Sequence, residues 1–195
     1  MRILGLTGSI GMGKSVAAQM LRRDRIPVFD SDANVHVLTR PNGAAIPAVA
    51  QAFPGTVTGG VLDRNALGRL VFSDPAALRR LEAILHPMVR RAREAFVRRA
   101  RRRRCPLVVF DVPLLFETRG ERHCDAVLVV SAPAFLQRQR VLARPNMTAA
   151  KFAGILRRQV PDATKRHRAD FVVPSSLGKR TTLIAIRHVV RMLGQ

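Results

Sequence analysis

LGLTGSIGMGKS, residues 4–15, is the stretch that decides how the rest of the sequence is interpreted. Its first four residues continue Ile3 as a short apolar run, which predicts a buried strand. Residues 8–15 fit the pattern G-x-x-x-x-G-K-[ST], and the apolar spacing of residues 15–23 predicts a helix. A glycine-rich turn between a strand and a helix is the setting in which this pattern forms a phosphate-binding loop.

The residue types of this loop suit the binding of a nucleotide. Glycines let the backbone wrap closely around a phosphate, and the wrapped N–H groups and the helix N-terminus hold negative charge. Lys14 can reach the β- and γ-phosphates, and the Ser15 hydroxyl can coordinate Mg²⁺. The residues expected to bind ATP are Gly8, Gly11, Met12, Gly13, Lys14, Ser15 and Val16. The alternative is a glycine-rich turn that binds no nucleotide.

Strand and helix patterns alternate along the chain. Apolar runs predict further strands at residues 26–32, 107–111, 126–131 and 170–174, and helical spacing predicts helices at residues 75–104, 135–142, 149–159 and 181–193. Residues 44–73 are predicted to be short helix and loop. Because the strands are nearly all apolar and show no alternation with polar residues, they predict a parallel sheet covered on both faces. We therefore predict a three-layer α/β/α P-loop NTPase with a five-stranded parallel sheet, as a single domain over residues 1–195.

Composition indicates a folded protein without a membrane segment. Apolar residues make up 47% of the 195 residues, which argues against disorder. No apolar run reaches membrane-spanning length, and Met1-Arg2 leads into Ile3 without a signal-peptide pattern. We expect a soluble cytoplasmic protein with no membrane partner. Cys105 and Cys124 form neither a disulfide framework nor a zinc-site spacing, so two reduced thiols are expected.

The net charge of +21 indicates affinity for anions. The densest basic run is RRAREAFVRRARRRR, residues 90–104. It is either a solvated helix face, a surface that steers anionic substrates, or part of a basic nucleic-acid-binding module. The run has one aromatic residue, Phe96, and the chain has no Trp or Tyr, whereas single-stranded nucleic acid usually stacks on several aromatic rings. No dedicated nucleic-acid partner is therefore expected.

Among nucleotide-binding proteins, the sequence favours a small kinase. It has no N-K-x-D guanine motif, and it is short for an ATPase motor. Asp30 and Asp32 close the second predicted strand, whose carboxyl end this topology places beside the phosphate loop. One carboxylate could accept a proton from an acceptor hydroxyl and direct it toward the γ-phosphate. Alternatively, both aspartates cap the next helix.

Five segments resemble the dephospho-coenzyme A kinase family. They are LTGSIGMGKS, VFDSDANVH, LHPMV, VVFDVPLLFE, and KRHRADFVV after an RQ pair, in the family's order between residues 4 and 173. The resemblance implies phosphorylation of the ribose 3′-hydroxyl of dephospho-coenzyme A by ATP with Mg²⁺, giving coenzyme A and ADP in the last step of coenzyme A biosynthesis. It also implies an acceptor-binding helical insert at about residues 40–104 and a lid at about 135–168. The alternative is another small P-loop kinase acting on a nucleoside, nucleotide or sugar acid.

The resemblance also implies roles for single residues. Asp32 is the implied base or hydroxyl-orienting carboxylate, and Asp30 supports its loop. His86 makes either a polar contact to the acceptor or a structural hydrogen bond, and Glu117 is either a polar anchor or a solvent-facing carboxylate. The implied acceptor-binding residues are Asp30, Asp32, His86, Pro113, Leu114, Leu115, Glu117 and Arg140, and the apolar ones among them either touch the adenosine moiety or only pack.

The implied lid carries basic residues. Arg140 and Arg144 lie four residues apart, before a PNMT turn. They either clamp phosphates as negative charge develops in the transition state or form a solvated helix face, and Arg140 is the favoured clamp. Gln159, Lys165 and Arg166 match the lid-side pattern. The implied catalytic residues are therefore Lys14, Asp32 and Arg140, with Ser15 as the metal ligand.

The chain departs from the family near its last predicted strand. The family carries an asparagine and glycine signature there, near the adenine of ATP, whereas residues 174–176 are Pro-Ser-Ser. How the adenine is held therefore stays open at this stage. A monomer or small homo-oligomer is expected.

Overall fold

The first apolar run forms the central strand of a sheet in the computed structural model, which describes residues 1–194. The strands are β1 (Arg2–Thr7), β2 (Val28–Asp30), β3 (Val57–Thr58), β4 (Val61–Leu62), β5 (Leu107–Asp111), β6 (Ala126–Ser131) and β7 (Phe171–Pro174). Five of them form a sheet in the order β2-β5-β1-β6-β7, and β3 and β4 form a separate hairpin. The predicted five-stranded parallel sheet is confirmed.

The sheet register brings several strand ends to one edge. Strand β1 pairs in parallel with β5, with Leu4 opposite Val109, and with β6, with Leu4 opposite Ala126. Strand β6 pairs in parallel with β7 on its other side. Since parallel strands end at the same edge, the turns that follow β1, β5, β6 and β7 lie side by side. That edge is where ligands bind in open α/β sheets.

Helices connect the strands, as expected for parallel pairing. They are α1 (Lys14–Arg23), α2 (Ser31–Leu38), α3 (Ile46–Ala52), α4 (Arg64–Ser73), α5 (Pro75–Arg102), α6 (Ala134–Leu142), α7 (Ala149–Arg157), α8 (Asp162–Arg168) and α9 (Lys179–Leu193), with a 3₁₀ turn at Gly120–His123. Within residues 1–194, none of these helices combines the length and apolar character needed to cross a bilayer.

The chain divides into two compact units. The first comprises residues 1–29 and the chain from Ala100 onward, and its core includes the wholly buried Leu4, Leu6, Leu21 and Leu128. The second comprises Asp30–Arg99, and its core is built on Val49, Phe53 and Leu67. The proposed extents of the insert and the lid stay predictions.

Two sequence-based expectations about elements are wrong in detail, and one helix was not predicted. Strand β2 ends at Asp30 rather than Asp32, because the Asp30 side chain accepts a hydrogen bond from the Ala33 N–H (2.9 Å) and caps α2. Residues 44–73 also contain the β3–β4 hairpin, whose turn residues Gly59 and Gly60 both have positive φ. Helix α8 was not predicted at all; its seven residues are too few for a clear apolar period.

In the first unit, an ion pair joins Asp24, the C-cap residue of α1, to Arg187 of α9. The Arg187 guanidinium donates two hydrogen bonds to the Asp24 carboxylate, at 2.7 and 2.8 Å. These hydrogen bonds hold the pKa of Asp24 below its ordinary 3.8. The contact therefore stabilises the folded protein when the Asp24 carboxyl is ionised.

We predict that Arg187→Gln lowers the melting temperature slightly at pH 7. Because the pKa of Asp24 is lowered in the folded state, the pair stabilises the fold above pH 3.8 and loses this effect as the pH falls through the lowered value. Thermal unfolding of both proteins as a function of pH measures the difference. Arg191→Gln, a change at an exposed position of the same helix, is the control. If Arg187→Gln lowers the melting temperature by the same amount in acid as at pH 7, the prediction is wrong.

Candidate active site

The turn between β1 and α1 has the backbone geometry of a phosphate-binding loop. Gly11 and Gly13 have φ values of 77° and 94°, in the left-handed region that favours glycine. A Cβ atom on Gly8 would lie 2.6 Å from the Val130 carbonyl oxygen, so no other residue fits there without a shift. Gly13 is also the N-cap of α1. The glycines of the motif are therefore required by the path of the backbone.

The start of α1 presents N–H groups for an anion. The Met12 N–H donates to the Ser9 carbonyl (3.1 Å), and the Val16 N–H donates to the Gly13 carbonyl (3.0 Å). The first N–H groups of a helix have no acceptor within the helix. The amides of Gly13, Lys14 and Ser15 are therefore the donors that this geometry offers to a phosphate.

Lys14 forms an ion pair at the end of the neighbouring strand. Its Nζ lies 2.5 Å from Oδ1 of Asp111, whose side chain is only 3% exposed. Asp111 ends a predicted strand, but no role was predicted for it. An acidic residue that ends an otherwise apolar strand was the available signal, since β5 is the direct neighbour of β1.

The oxygen donors of the loop fit Mg²⁺. Ser15 follows Lys14 at the exposed start of α1, and Asp111 supplies a carboxylate beside Lys14. Mg²⁺ prefers oxygen ligands and usually binds one or two protein groups together with substrate phosphates. Ser15 and Asp111 are therefore the residues of this unit that could hold the metal.

Two glutamine side chains hold the loop at Ile10. The Gln137 Nε2 on α6 donates to the Ile10 carbonyl (2.8 Å), and the Ile10 N–H donates to the Gln159 Oε1 (3.1 Å). Gln159 was noted in the sequence by its pattern, whereas Gln137 was missed because nothing local marks it. Both polar groups of the Ile10 backbone are thereby satisfied.

Arg140 is held close to the loop through Ser175. Its Nη1 donates to the Ser175 Oγ (3.0 Å), and its Nη2 donates to the Ser175 carbonyl (2.8 Å). The Ser175 hydroxyl in turn donates to the Met12 carbonyl at 2.7 Å. Arg140 is partly buried, so it does not belong to a solvated helix face, whereas Arg144 is exposed.

Comparison with known proteins identifies the family. The family model described as dephospho-CoA kinase matches residues 2–179. The chain belongs to the dephospho-CoA kinase family. The resemblance inferred from five sequence motifs is thereby confirmed.

Close relatives of this family cover nearly the whole chain. A dephospho-CoA kinase of Paramagnetospirillum magneticum is 59% identical over 193 residues, which are 99% of this chain and 91% of the relative. A dephospho-CoA kinase of Rhodospirillum rubrum is 59% identical over 192 residues, which are 97% and 90% of the two chains. The crystal structure of TT1252 from Thermus thermophilus shares 38% identity and a TM-score of 0.86, over 98% of this chain and 96% of that one.

Of the residues that the family motifs imply for the acceptor, three lie in the second unit. Asp30 caps α2, Asp32 is exposed in the first turn of that helix, and His86 is exposed on α5. Their proximity to the phosphate loop stays a prediction. His86 is exposed, which suits a contact to substrate.

The family's P-L-L-F-E segment follows β5 in the first unit. The Pro113 carbonyl accepts a hydrogen bond from the Thr7 hydroxyl (3.1 Å), which fixes the segment beside the end of β1. Leu115 is 1% exposed and packs in the core, whereas Leu114 is 42% exposed. Leu114 is therefore the leucine available for a contact to substrate.

Glu117 forms a buried ion pair. Its Oε1 lies 2.8 Å from the Nζ of Lys165, whose side chain is wholly buried, and it also accepts a hydrogen bond from the Val160 N–H (2.8 Å). Glu117 itself is 13% exposed, so it is not a solvent-facing carboxylate. Glu117 therefore connects the segment after β5 to α8 through Lys165 and to the backbone of Val160.

We predict that Glu117→Leu lowers the free energy of unfolding by about 3–5 kcal/mol, because it leaves the buried Lys165 ammonium uncompensated. The double change Glu117→Leu with Lys165→Met should lose much less, since no buried charge remains. Denaturant unfolding measures both.

The pair of the partly buried Glu121 and the exposed Arg168 provides a control for this prediction, because the Arg168 side chain is 40% exposed whereas Lys165 is wholly buried. Glu121→Gln should cost about 1 kcal/mol or less, as is usual for surface pairs. A Glu117→Leu variant as stable as the wild type would contradict a structural role for the buried pair.

Proposed function

We propose that the protein transfers the γ-phosphoryl group of ATP to the ribose 3′-hydroxyl of dephospho-coenzyme A. The products are coenzyme A and ADP, and the reaction is the last step of coenzyme A biosynthesis. The observation that supports this most is the phosphate loop with Lys14 paired to Asp111, in a chain that matches the dephospho-CoA kinase family over residues 2–179.

The phosphate loop would bind the triphosphate through its backbone. The amides of Gly13, Lys14 and Ser15 lie at the positive end of α1, where negative charge is favoured. The Lys14 ammonium has three N–H donors, so it can keep its contact with Asp111 and still donate to the β- and γ-phosphate oxygens. Asp111 thus directs Lys14 before the substrate arrives.

Mg²⁺ would be held by Ser15, Asp111 and the phosphate oxygens, and when bound it neutralises charge on the β- and γ-phosphates. Arg140 adds a guanidinium that is held by Ser175, the residue whose hydroxyl also contacts the Met12 carbonyl of the loop. In phosphoryl transfer, fixed positive groups stabilise the charge spread over the transferring oxygens. Lys14 and Arg140 are the two cations proposed for this role.

Asp32 is proposed to aim the acceptor hydroxyl. Its position in the first turn of α2 is fixed by the Asp30 cap, which sets where the helix begins. Because the transition state of phosphoryl transfer is largely loose, a carboxylate can act by orienting the hydroxyl without removing its proton early. The proton leaves as the new O–P bond forms, to the Asp32 carboxylate or to solvent. His86 and Leu114 are proposed as further acceptor contacts. A cytoplasmic location and a monomer or small homo-oligomer stay predictions.

We predict that the purified protein, with ATP and Mg²⁺, phosphorylates dephospho-coenzyme A in preference to a panel of nucleosides, nucleotides and sugar acids. Turnover is measured by ADP release and by the mass of the product. Lys14→Met should lower kcat by about 10²–10³-fold, because it removes a cation directed at the developing charge. Turnover of another acceptor but not of dephospho-coenzyme A would defeat the proposal, as would full activity of Lys14→Met.

A further inference from the structure

We propose that Ser175 is a positioning residue that sets the direction of the Met12–Gly13 peptide and of the Arg140 guanidinium for a bound triphosphate. This inference rests on the proposed function, since it concerns how the same site binds ATP. Ser175 follows β7 directly, in the Pro-Ser-Ser segment where the chain departs from the family's signature, and no role was predicted for it.

The Ser175 hydroxyl fixes the direction of the Met12 carbonyl. A carbonyl oxygen directed into a phosphate loop would repel the anion, and the Ser175 hydroxyl holds this one by donating to it at 2.7 Å. The N–H of the same trans peptide belongs to Gly13 and points the opposite way. The contact therefore directs the Gly13 N–H away from Ser175, into the loop.

The Met12–Gly13 peptide needs a restraint from outside the loop. Gly13 has φ 94° and no Cβ, so its backbone can adopt other conformations at little steric cost. A Cβ on Gly13 would lie 3.1 Å from both the Cβ and the Oγ of Ser175, tighter than most such contacts. A stiffer residue therefore fits poorly here, and the hydroxyl restrains the glycine instead.

Ser175 also holds the Arg140 side chain. Two of its N–H groups donate to Ser175, one to the hydroxyl at 3.0 Å and one to the carbonyl at 2.8 Å. The backbone of Ser175 is itself anchored, because its N–H donates to the Ser131 carbonyl at the end of β6 (2.9 Å). One serine thus joins the sheet edge, the loop and α6, so the loop and the arginine are positioned together.

The test compares Ser175→Ala with Ser176→Ala. Ser176 is the next residue, is also partly buried, and makes none of these contacts to Met12 or Arg140. We expect Ser175→Ala to raise the Kd for ATP with Mg²⁺, measured by titration calorimetry, by about tenfold. The change removes the hydrogen bonds of the Ser175 hydroxyl to the Met12 carbonyl and to the Arg140 guanidinium, and the loss of such bonds has about this effect. The KM for ATP should rise in parallel, while the KM for dephospho-coenzyme A and the melting temperature should change little. Ser176→Ala should match the wild type.

A double-mutant cycle tests the link to Arg140. If Ser175 positions the arginine, Arg140→Met should weaken ATP binding less in the Ser175→Ala background than in the wild type. Strictly additive effects would overturn this link. A Ser175→Ala variant that is less stable but binds ATP like Ser176→Ala would overturn the positioning role as a whole.

The outcomes also separate this inference from the proposed function. If the wild type binds ATP but does not phosphorylate dephospho-coenzyme A, the proposed function is wrong, and the ATP affinities of the two serine variants still decide the role of Ser175. If the wild type phosphorylates dephospho-coenzyme A and the two variants bind ATP equally, only the role of Ser175 is wrong.

Discussion

A phosphate loop binds an anion only if its carbonyl oxygens are directed elsewhere. In this protein, two of those carbonyls accept hydrogen bonds from side chains that lie far along the chain: Ile10 from Gln137 and Met12 from Ser175. The glycines make the loop geometry possible, but they do not select one orientation for each peptide. The C-terminal half of the first unit therefore determines how the N-terminal motif presents its N–H groups.

The parallel sheet makes these long-range contacts possible. Since β1, β5, β6 and β7 end at one edge, the loop after β1 meets Asp111 from β5 and Ser175 after β7. The order of strands places β1 between β5 and β6, so the loop has neighbours on both sides. Lys14 contacts the Asp111 carboxylate on one side. On the other side, Met12 contacts Ser175, which in turn holds Arg140. The chemistry of the loop is thus a consequence of strand order as well as of its own sequence.

The sequence predicted what local patterns encode. Strands β5 and β6 have the predicted bounds, because buried parallel strands form nearly continuous apolar runs, and here each run ends in one polar residue. The phosphate loop and the family were also predicted, since both depend on consecutive residues. Strand β2 was predicted to begin two residues too early and to end two residues too late. Its late end has a cause that an apolar pattern does not show, because the side chain of Asp30 caps the next helix.

The remaining parts of the site depend on contacts between distant residues. Asp111 is 97 positions from Lys14, and Ser175 is 163 positions from Met12. A serine has no periodic pattern, so neither its partner nor its role can be read locally. For Glu117, the sequence left a polar anchor and a solvent-facing carboxylate open, and only the buried Lys165 beside it decides against the second.

The most direct test of this account is a crystal structure with Mg²⁺ and a non-hydrolysable ATP analogue. We expect the triphosphate in the loop of residues 8–15, with the N–H groups of Gly13, Lys14 and Ser15 within hydrogen-bonding distance of its oxygens. The Met12 carbonyl should still contact the Ser175 hydroxyl. A triphosphate bound elsewhere, or a Met12–Gly13 peptide turned so that its carbonyl faces the phosphates, would contradict the account.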